Sequence, residues 1–277
     1  MTKTNSNFID WKNETLSFSS MKRFAESPDH FIAYKKQVFE PTDAMLAGQL
    51  VHSLILEPET VAAKYSVFEG ATRRGKVWDE FKAVAEHDKK TIIRKVDFDA
   101  AKMTAENILK NDFVSQMLDG KSGVEKLIEW TDERTGVKMK GFADVFGDTW
   151  FSDLKSGADT DPDKFSRNAY DQKLPLQCAL YFDGLHANGI PVDEMFIVRF
   201  GLSAPFPVVI YQPTEHFIQY GHAMKRRLLD KWVEWDGRPA GIEFHTGKTI
   251  QPLNVPRWAK PEPDMIKIDS INPHQND

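Results

Sequence analysis

The spacing of apolar residues divides the chain into two regimes. Up to about residue 120, apolar positions recur at helical intervals. In residues 17–36, Phe18, Met21, Phe24, Phe31 and Tyr34 stand among small polar residues. This spacing predicts two short helices broken at Ser27-Pro28, because a residue before proline is pushed out of the helical region. Residues 43–56 (DAMLAGQLVHSLIL) have the spacing of a buried helix, with Thr42 or Asp43 as cap and Pro58 as stop. Residues 97–119 also read as helical. Beyond residue 120 the period falls towards two. Residues 124–130, 137–146 and 149–155 read as three strands. They are joined by Asp132-Glu133-Arg134-Thr135-Gly136, which has hairpin-turn chemistry, and by Gly147-Asp148. A long helix over 163–188 follows, then strands over 194–200 and 208–212, then an amphipathic helix over 214–235 capped by Thr214. Five prolines in the 27 residues from Gln251 onwards predict an irregular tail. Residues 1–15 are polar and read as a flexible end. No internal repeat is visible. This order predicts an α/β (α+β mixed) fold: a mixed central sheet flanked by helices, with a helical N-terminal lobe.

Composition narrows the class without changing that picture. The chain has 277 residues, 41% hydrophobic and 28% charged, which is globular. At this length folding buries roughly 75% of the unfolded surface, so no covalent staple is needed. The single cysteine, Cys178, excludes an intramolecular disulfide, a four-thiolate cluster and zinc-finger spacing. It suits a reducing compartment. No apolar run reaches the ~18 residues of a membrane span, and the first residues lack the apolar core of a signal peptide. A soluble, cytoplasmic protein is expected. The net charge of −5 argues against non-specific coating of nucleic acid, yet leaves room for a local basic groove. Residues 69–95 are the most basic stretch, and within them Arg73, Arg74 and Lys76 are candidate contacts to a DNA backbone.

The chemistry concentrates after Gly141. Six aspartates and one lysine lie between Gly141 and Asp163, and two of the aspartates are out of place. Asp144 interrupts GFADVF and Asp153 interrupts TWFSDLKS, both apolar strand segments in which a carboxylate is disfavoured. On neighbouring strands such residues lie within ~5.5 Å. Two carboxylates that close repel unless a cation compensates. Lys155, two residues after Asp153, points to the same face. Two carboxylates and a lysine on one face make a phosphodiester-hydrolysis site, in which oxygen ligands hold Mg²⁺ and the lysine orients water or meets charge building on the phosphate. Paired carboxylates also serve glycosidases, but Lys155, and the lack of an aromatic sugar platform, weigh against one.

The runs Gly141-Phe142-Ala143-Asp144, Asp153-Leu154-Lys155-Ser156 and Gln177-Cys178-Ala179-Leu180-Tyr181 resemble, in this order, the motifs G-x-x-D, D-x-K and Q-x-x-x-Y of the RecB-like PD-(D/E)XK nucleases. Within that group the chain looks most like the RecE-type exonucleases (exodeoxyribonuclease VIII) of phages and prophages. The supporting text is Leu16-Ser17-Phe18-Ser19-Ser20 with Ser27-Pro28, Gly48-Gln49-Leu50-Val51-His52 with Leu56-Glu57-Pro58, Glu125 ahead of Trp130-Thr131-Asp132, and Pro256-Arg257-Trp258. The likeness spans residues 16–258. It implies one PD-(D/E)XK domain with a mostly helical lobe over 16–120, a catalytic core over 121–258 and a tail over 259–277. Ala143 departs from it, standing where relatives often carry proline.

The resemblance also implies roles. Asp144 and Asp153 match the metal-binding carboxylates, with the Leu154 carbonyl as a further ligand. His52 matches a histidine that approaches the metal from the helical lobe, and Glu125 an acidic residue of the first strand. Glu129 lies on the same strand face, and only the resemblance favours Glu125. Lys155 matches the catalytic lysine. Gln177 and Tyr181 match the helix facing the scissile phosphate; one turn apart, they share a helix face. The implied activity is that of a Mg²⁺-dependent exodeoxyribonuclease, with Mn²⁺ as the other candidate ion. It would act on double-stranded DNA ends, 5′ to 3′, leaving 3′ single strands for a recombinase or single-strand annealing partner, and it would work as a ring-like homo-oligomer. The alternatives are an endonuclease or single-strand nuclease of the same fold, and a DNA-end-binding accessory protein with little catalysis.

Overall fold

The structure, a computed structural model, describes residues 11–251 and 253. The helical lobe comes first. Helix α1 (Phe18–Phe24) starts at a capping box: the Ser17 hydroxyl accepts the Ser20 N–H, and the Ser17 N–H donates to the Ser20 hydroxyl at 2.8 Å. Helix α2 (Pro28–Lys36) is capped by Ser27 with proline in its first turn. The cap of α3 (Asp43–Leu56) is Thr42, whose hydroxyl accepts the Met45 N–H. Then follow α4 (Val61–Lys64), β1 (Tyr65–Phe68), α5 (Lys76–His87), β2 (Thr91–Arg94), α6 (Lys95–Leu109) and α7 (Asp112–Asp119). The basic stretch therefore holds a helix and a strand, and β2 pairs in parallel with β1. Four-residue strands are too short for alternation to reveal them.

The core follows with β3 (Gly123–Thr131), β4 (Lys138–Phe146), β5 (Trp150–Ser156), α8 (Pro162–Asp171), α9 (Leu174–Ala187), β6 (Glu194–Phe200), β7 (Val208–Tyr211), α10 (Glu215–Glu234) and α11 (Glu243–Thr246). The five strands make one mixed sheet in the order β3-β4-β5-β6-β7, with β5 and β6 parallel and the other neighbours antiparallel. The single helix expected over 163–188 is two. Lys173 takes a left-handed backbone (φ 60°) and Pro175 sits in the first turn of α9, where its missing N–H costs nothing.

Helices cover both faces of the sheet. On one, Leu50, Val51 and Ile55 of α3 and Ala101, Ala105 and Ile108 of α6 pack against Val145, Leu154 and Val198. On the other, Cys178, Phe182 and Leu185 of α9 pack against Ile128, Ala143, Phe151 and Ile197. A third cluster, centred on Phe24, Phe31, Trp232 and Trp235, joins α1 and α2 to α10. Part of the end expected to be flexible is tied down. Trp11 is buried edge-on to Phe31, and Leu16 bridges β4 through Lys138 and Lys140. Residues 1–10, Pro256-Arg257-Trp258 and the tail over 259–277 lie outside the described residues. Among those described, no helix is long and apolar enough to cross a membrane.

Candidate active site

The site forms where the sheet loses its regularity. Ala143 belongs to the apolar cluster under α9 and Val145 to the cluster under α3. Strict alternation would put both on one side, so β4 changes face at the buried Asp144 between them. The ladders break there as well. Between β3 and β4 the pairs run from Gly123↔Phe146 to Thr131↔Lys138 and omit only Glu125 and Asp144. Glu125 has a left-handed backbone (φ 45°), disfavoured for any residue with a Cβ. Between β4 and β5 the ladder stops at Val145↔Ser152, one step before Asp144 and Asp153. In place of a ladder bond, Asp144 Oδ2 accepts the Leu154 N–H at 2.8 Å.

Helix α3 brings His52 over this gap. Its Nε2 lies 3.0 Å from the Leu154 carbonyl oxygen, and a carbonyl can only accept, so Nε2 carries the hydrogen. That leaves Nδ1 facing Asp144 Oδ2 at 3.6 Å and Glu125 Oε1 at 3.7 Å. Asp153, 2% exposed, points to the other half of the site. Lys155 Nζ lies 3.0 Å from its Oδ1 and 2.9 Å from its Oδ2. Gln177 on α9 donates to Asp153 Oδ1 at 3.1 Å and to the Tyr181 hydroxyl at 3.3 Å. Tyr181 comes this close to β4 because Gly141 has no side chain; a Cβ there would stand 2.7 Å from its ring.

The electrostatics follow from burial. Asp153 is pushed up to about 6 by desolvation, with Lys155 pulling it back and Asp144 adding to the rise. Desolvation also raises Asp144, against the pull of His52, Lys155 and the Leu154 N–H. Burial alone would lower His52 and Lys155, but the carboxylates outweigh it and both are raised: Asp144 and Glu125 act on His52, Asp153 and Asp144 on Lys155. The carboxylates thus favour the protonated form of both side chains. Burial raises the Cys178 thiol and the Tyr181 hydroxyl, so neither ionises readily.

A divalent cation fits this donor set. One ligand atom each from His52, Glu125 and Asp144 lie within 4.8 Å of one another. Two carboxylates and an imidazole suit a hard or borderline ion. Leu154 supplies the outer bond that fixes the imidazole. Gln177 Oε1 is buried without a hydrogen bond and Asp153 Oδ2 meets only the Lys155 ammonium, so polar capacity remains on the Asp153 side. Asp153 itself is not among the three converging residues.

Other expected residues lie elsewhere. Arg73 pairs with Asp43 at the start of α3 (2.9 Å) and Lys76 stands 3.8 Å from Glu80, while Arg74 is exposed; among the described residues none of the three touches the carboxylates. Arg199 is a residue the pattern reading misses. It is 7% exposed on β6, stacks over Phe165 and donates to the Ser156 and Asp159 carbonyls just beyond Lys155. Its signal was the one that marks Asp144 and Asp153, a charge inside an apolar strand. A cavity of about 450 Å³ opens beside Lys155 and Gln177, with Lys22 and Arg199 in its wall.

No curated protein matches the chain. Among solved structures, that of a "putative exonuclease" from Eubacterium rectale is similar with a TM-score of 0.59 at 17% identity, over 92% of this chain and 97% of that one. At this identity the likeness is one of fold. The crystal structure of SSO0001 is matched over 78% of this chain and 84% of that one at 15% identity, with a TM-score of only 0.29. The family described as "PDDEXK-like domain of unknown function (DUF3799)" matches residues 17–235, the span that holds the helical lobe, the interrupted sheet and α10. The chain belongs to this family of PDDEXK-like domains, and its fold is that of the PD-(D/E)XK nucleases.

Proposed function

We propose that the protein is a Mg²⁺-dependent exodeoxyribonuclease, with Mn²⁺ as an alternative ion, that hydrolyses phosphodiester bonds from double-stranded DNA ends. The observation that carries this reading is the union of two half-sites at one break in the sheet: His52, Glu125 and Asp144 on one side, Asp153, Lys155 and Gln177 on the other. The name of the similar E. rectale protein points the same way.

A bound divalent cation supplies Lewis-acid charge to the phosphodiester. His52, Glu125 and Asp144 would hold it, with Asp153 beside them. Lys155 keeps its proton and so faces the phosphate as a cation, able to orient water and to meet negative charge as it builds. Gln177 and Tyr181 fix the carboxylate against which Lys155 rests. From the RecE-type resemblance the reading extends to 5′-to-3′ degradation that leaves 3′ single strands, a single-strand annealing partner, a ring-like homo-oligomer and work in the cytoplasm.

The test is linear double-stranded DNA labelled at the 5′ or the 3′ end, with EDTA, Lys155→Ala and a closed circle as controls. Metal-dependent release of 5′ label from linear DNA only, lost in Lys155→Ala, is the expected result. Cutting of the circle assigns an endonuclease instead, and folded protein inert with both Mg²⁺ and Mn²⁺ assigns a DNA-binding role.

A further inference from the structure

Two residues from the carboxylates, the β3–β4 hairpin carries an exposed apolar pair. Leu127 and Phe142 are register partners, 46% and 55% exposed. Counted back from Ile128 and Gly141, period-two alternation puts this pair on one face of the hairpin, and Glu125 and Asp144 stand two positions along the same two strands, at the step where the ladder breaks. This is the face away from α9: the intervening partners Ile128 and Gly141 lie against Gly184 and Tyr181 of that helix. It is the side from which His52 reaches the carboxylates, and Leu127 and Phe142 lie outside the cover of the helical lobe.

Further along β4 in the same phase come Lys140 and Lys138, both exposed. Among the described residues neither side chain has an ion pair or a hydrogen bond. Their register partners are Glu129 and Thr131, so Glu129 is the one carboxylate in the outer part of the row. From Asp144 to Lys138 the row extends about 20 Å at ~3.3 Å per residue, the length of roughly six stacked nucleotides.

Single exposed apolar residues need no explanation. A cross-strand pair that continues the carboxylate cluster and runs on into two lysines with no ion pair among the described residues is different. An exposed aromatic face beside cations is the chemistry that takes unpaired nucleobases, the ring stacking on a base and the lysines meeting phosphates. We propose that the outer face of the β3–β4 hairpin is a track for single-stranded DNA. Phe142, packed beside Leu127, is the stacking platform for an unpaired base next to the site, and Lys140 and Lys138 hold the backbone beyond it. The link to the cut rests on the nuclease reading; the binding surface does not.

The test is fluorescence anisotropy with the full chain in EDTA, so that neither metal nor cleavage enters, using a labelled 20-nucleotide oligothymidine and a 20-base-pair duplex. Thermal melts confirm that each variant is folded. Phe142→Ala is expected to weaken single-strand binding about tenfold while Phe142→Tyr keeps it, as loss of one stacking contact implies. Duplex affinity should change less than about twofold, because its bases are already stacked. Lys138→Gln with Lys140→Gln should lower the slope of log K against log salt by roughly 1 to 1.5. The proposal is overturned if the wild type does not bind the oligonucleotide, or if Phe142→Ala and Leu127→Ala bind it as the wild type does. It is also overturned if Phe142→Ala changes sedimentation without DNA, which would assign the face to a second copy of the chain. If Phe142 governs binding yet no DNA is cut with any metal, the track stands and the nuclease reading falls.

Discussion

Glu125 stands opposite Asp144 across β3 and β4, and at that step alone the ladder between these strands is interrupted. The left-handed backbone of Glu125 costs about 1–2 kcal/mol for a residue with a Cβ, so something must make the arrangement worthwhile. His52, Glu125 and Asp144 converge there, and a cation bound among them would be the compensation. Glu125→Gly separates the two effects. It removes a ligand and the backbone strain together, so the metal-free protein should change by less than about 1 kcal/mol, because the strain relieved and the added chain entropy offset each other. Mn²⁺ affinity, read by calorimetry, should fall at least about tenfold, since even outer-shell partners of such ligands are worth ~10–100-fold. An unchanged Mn²⁺ affinity would remove Glu125 from the ligand set.

Lys155 sits 2.9–3.0 Å from both oxygens of Asp153, a half-buried ammonium against a buried carboxylate. Lys155→Ala removes the cation that faces the phosphate, so kcat should fall by about 10²–10³, the cost of losing one charge-stabilising donor. DNA affinity without metal should stay within about twofold, because surface contacts elsewhere supply it. Lys155→Ala retaining a tenth or more of wild-type activity would exclude the catalytic role.

The raised pKa of Asp153 makes a prediction of definite sign. Folding lifts this carboxyl from 3.8 to about 6, so between those values the native state binds more protons than the unfolded one. Stability is then fully present below pH 4 and is lost as the pH rises through 6, which is opposite to the usual behaviour of a paired carboxylate. His52, also raised, acts in the same direction at higher pH. Asp153→Asn cannot titrate. In EDTA its stability relative to the wild type should therefore rise between pH 4 and 7, by up to about 3 kcal/mol. Mg²⁺ should restore the wild type at pH 7 and do less for the variant. Chemical denaturation at the two pH values measures both, and a gap that stays constant or shrinks with pH would show that Asp153 is not held in this way.

Asp144 and Asp153 are legible in the sequence because a carboxylate inside an apolar strand breaks a strong physical rule, and a hairpin fixes which strands are neighbours. Lys155 follows from period two. The choice between Glu125 and Glu129 does not follow, since both share a strand face in a regular strand. The positive φ that singles out Glu125 is a tertiary effect with no local signature. The meander and the helices over 17–56 are visible for the same reason as the site, long periodic runs and good caps, whereas α5 is masked by the charges of the basic stretch. The break at Lys173 is hidden because the apolar period continues across it, and Pro175 is the one local cue. The β1–β2 pair is hidden by its length and by the charges around it.

Arg199 leads to the last prediction. It is the register partner of Lys155 across β5 and β6, and it donates to the Ser156 carbonyl at 2.6 Å and the Asp159 carbonyl at 3.0 Å. The chain passes close enough at Gly157 that a Cβ there would stand 1.9 Å from the guanidinium. Arg199 therefore holds the strand end that carries Lys155 without facing the carboxylates itself. Arg199→Met keeps most of the packing and leaves the two carbonyls without their donor, which costs about 1–3 kcal/mol. At this chain length that is a fall in Tm of roughly 2–10 °C. Arg199→Lys should rescue little, because a lysine cannot reach two divergent acceptors as a planar fork does. If the residue positions Lys155, kcat should fall about tenfold with KM unchanged, as a small misplacement of a catalytic group implies. Reduced Tm with full kcat at a temperature where the variant is folded would confine Arg199 to stability, and an unchanged Tm would show that the clamp carries no load.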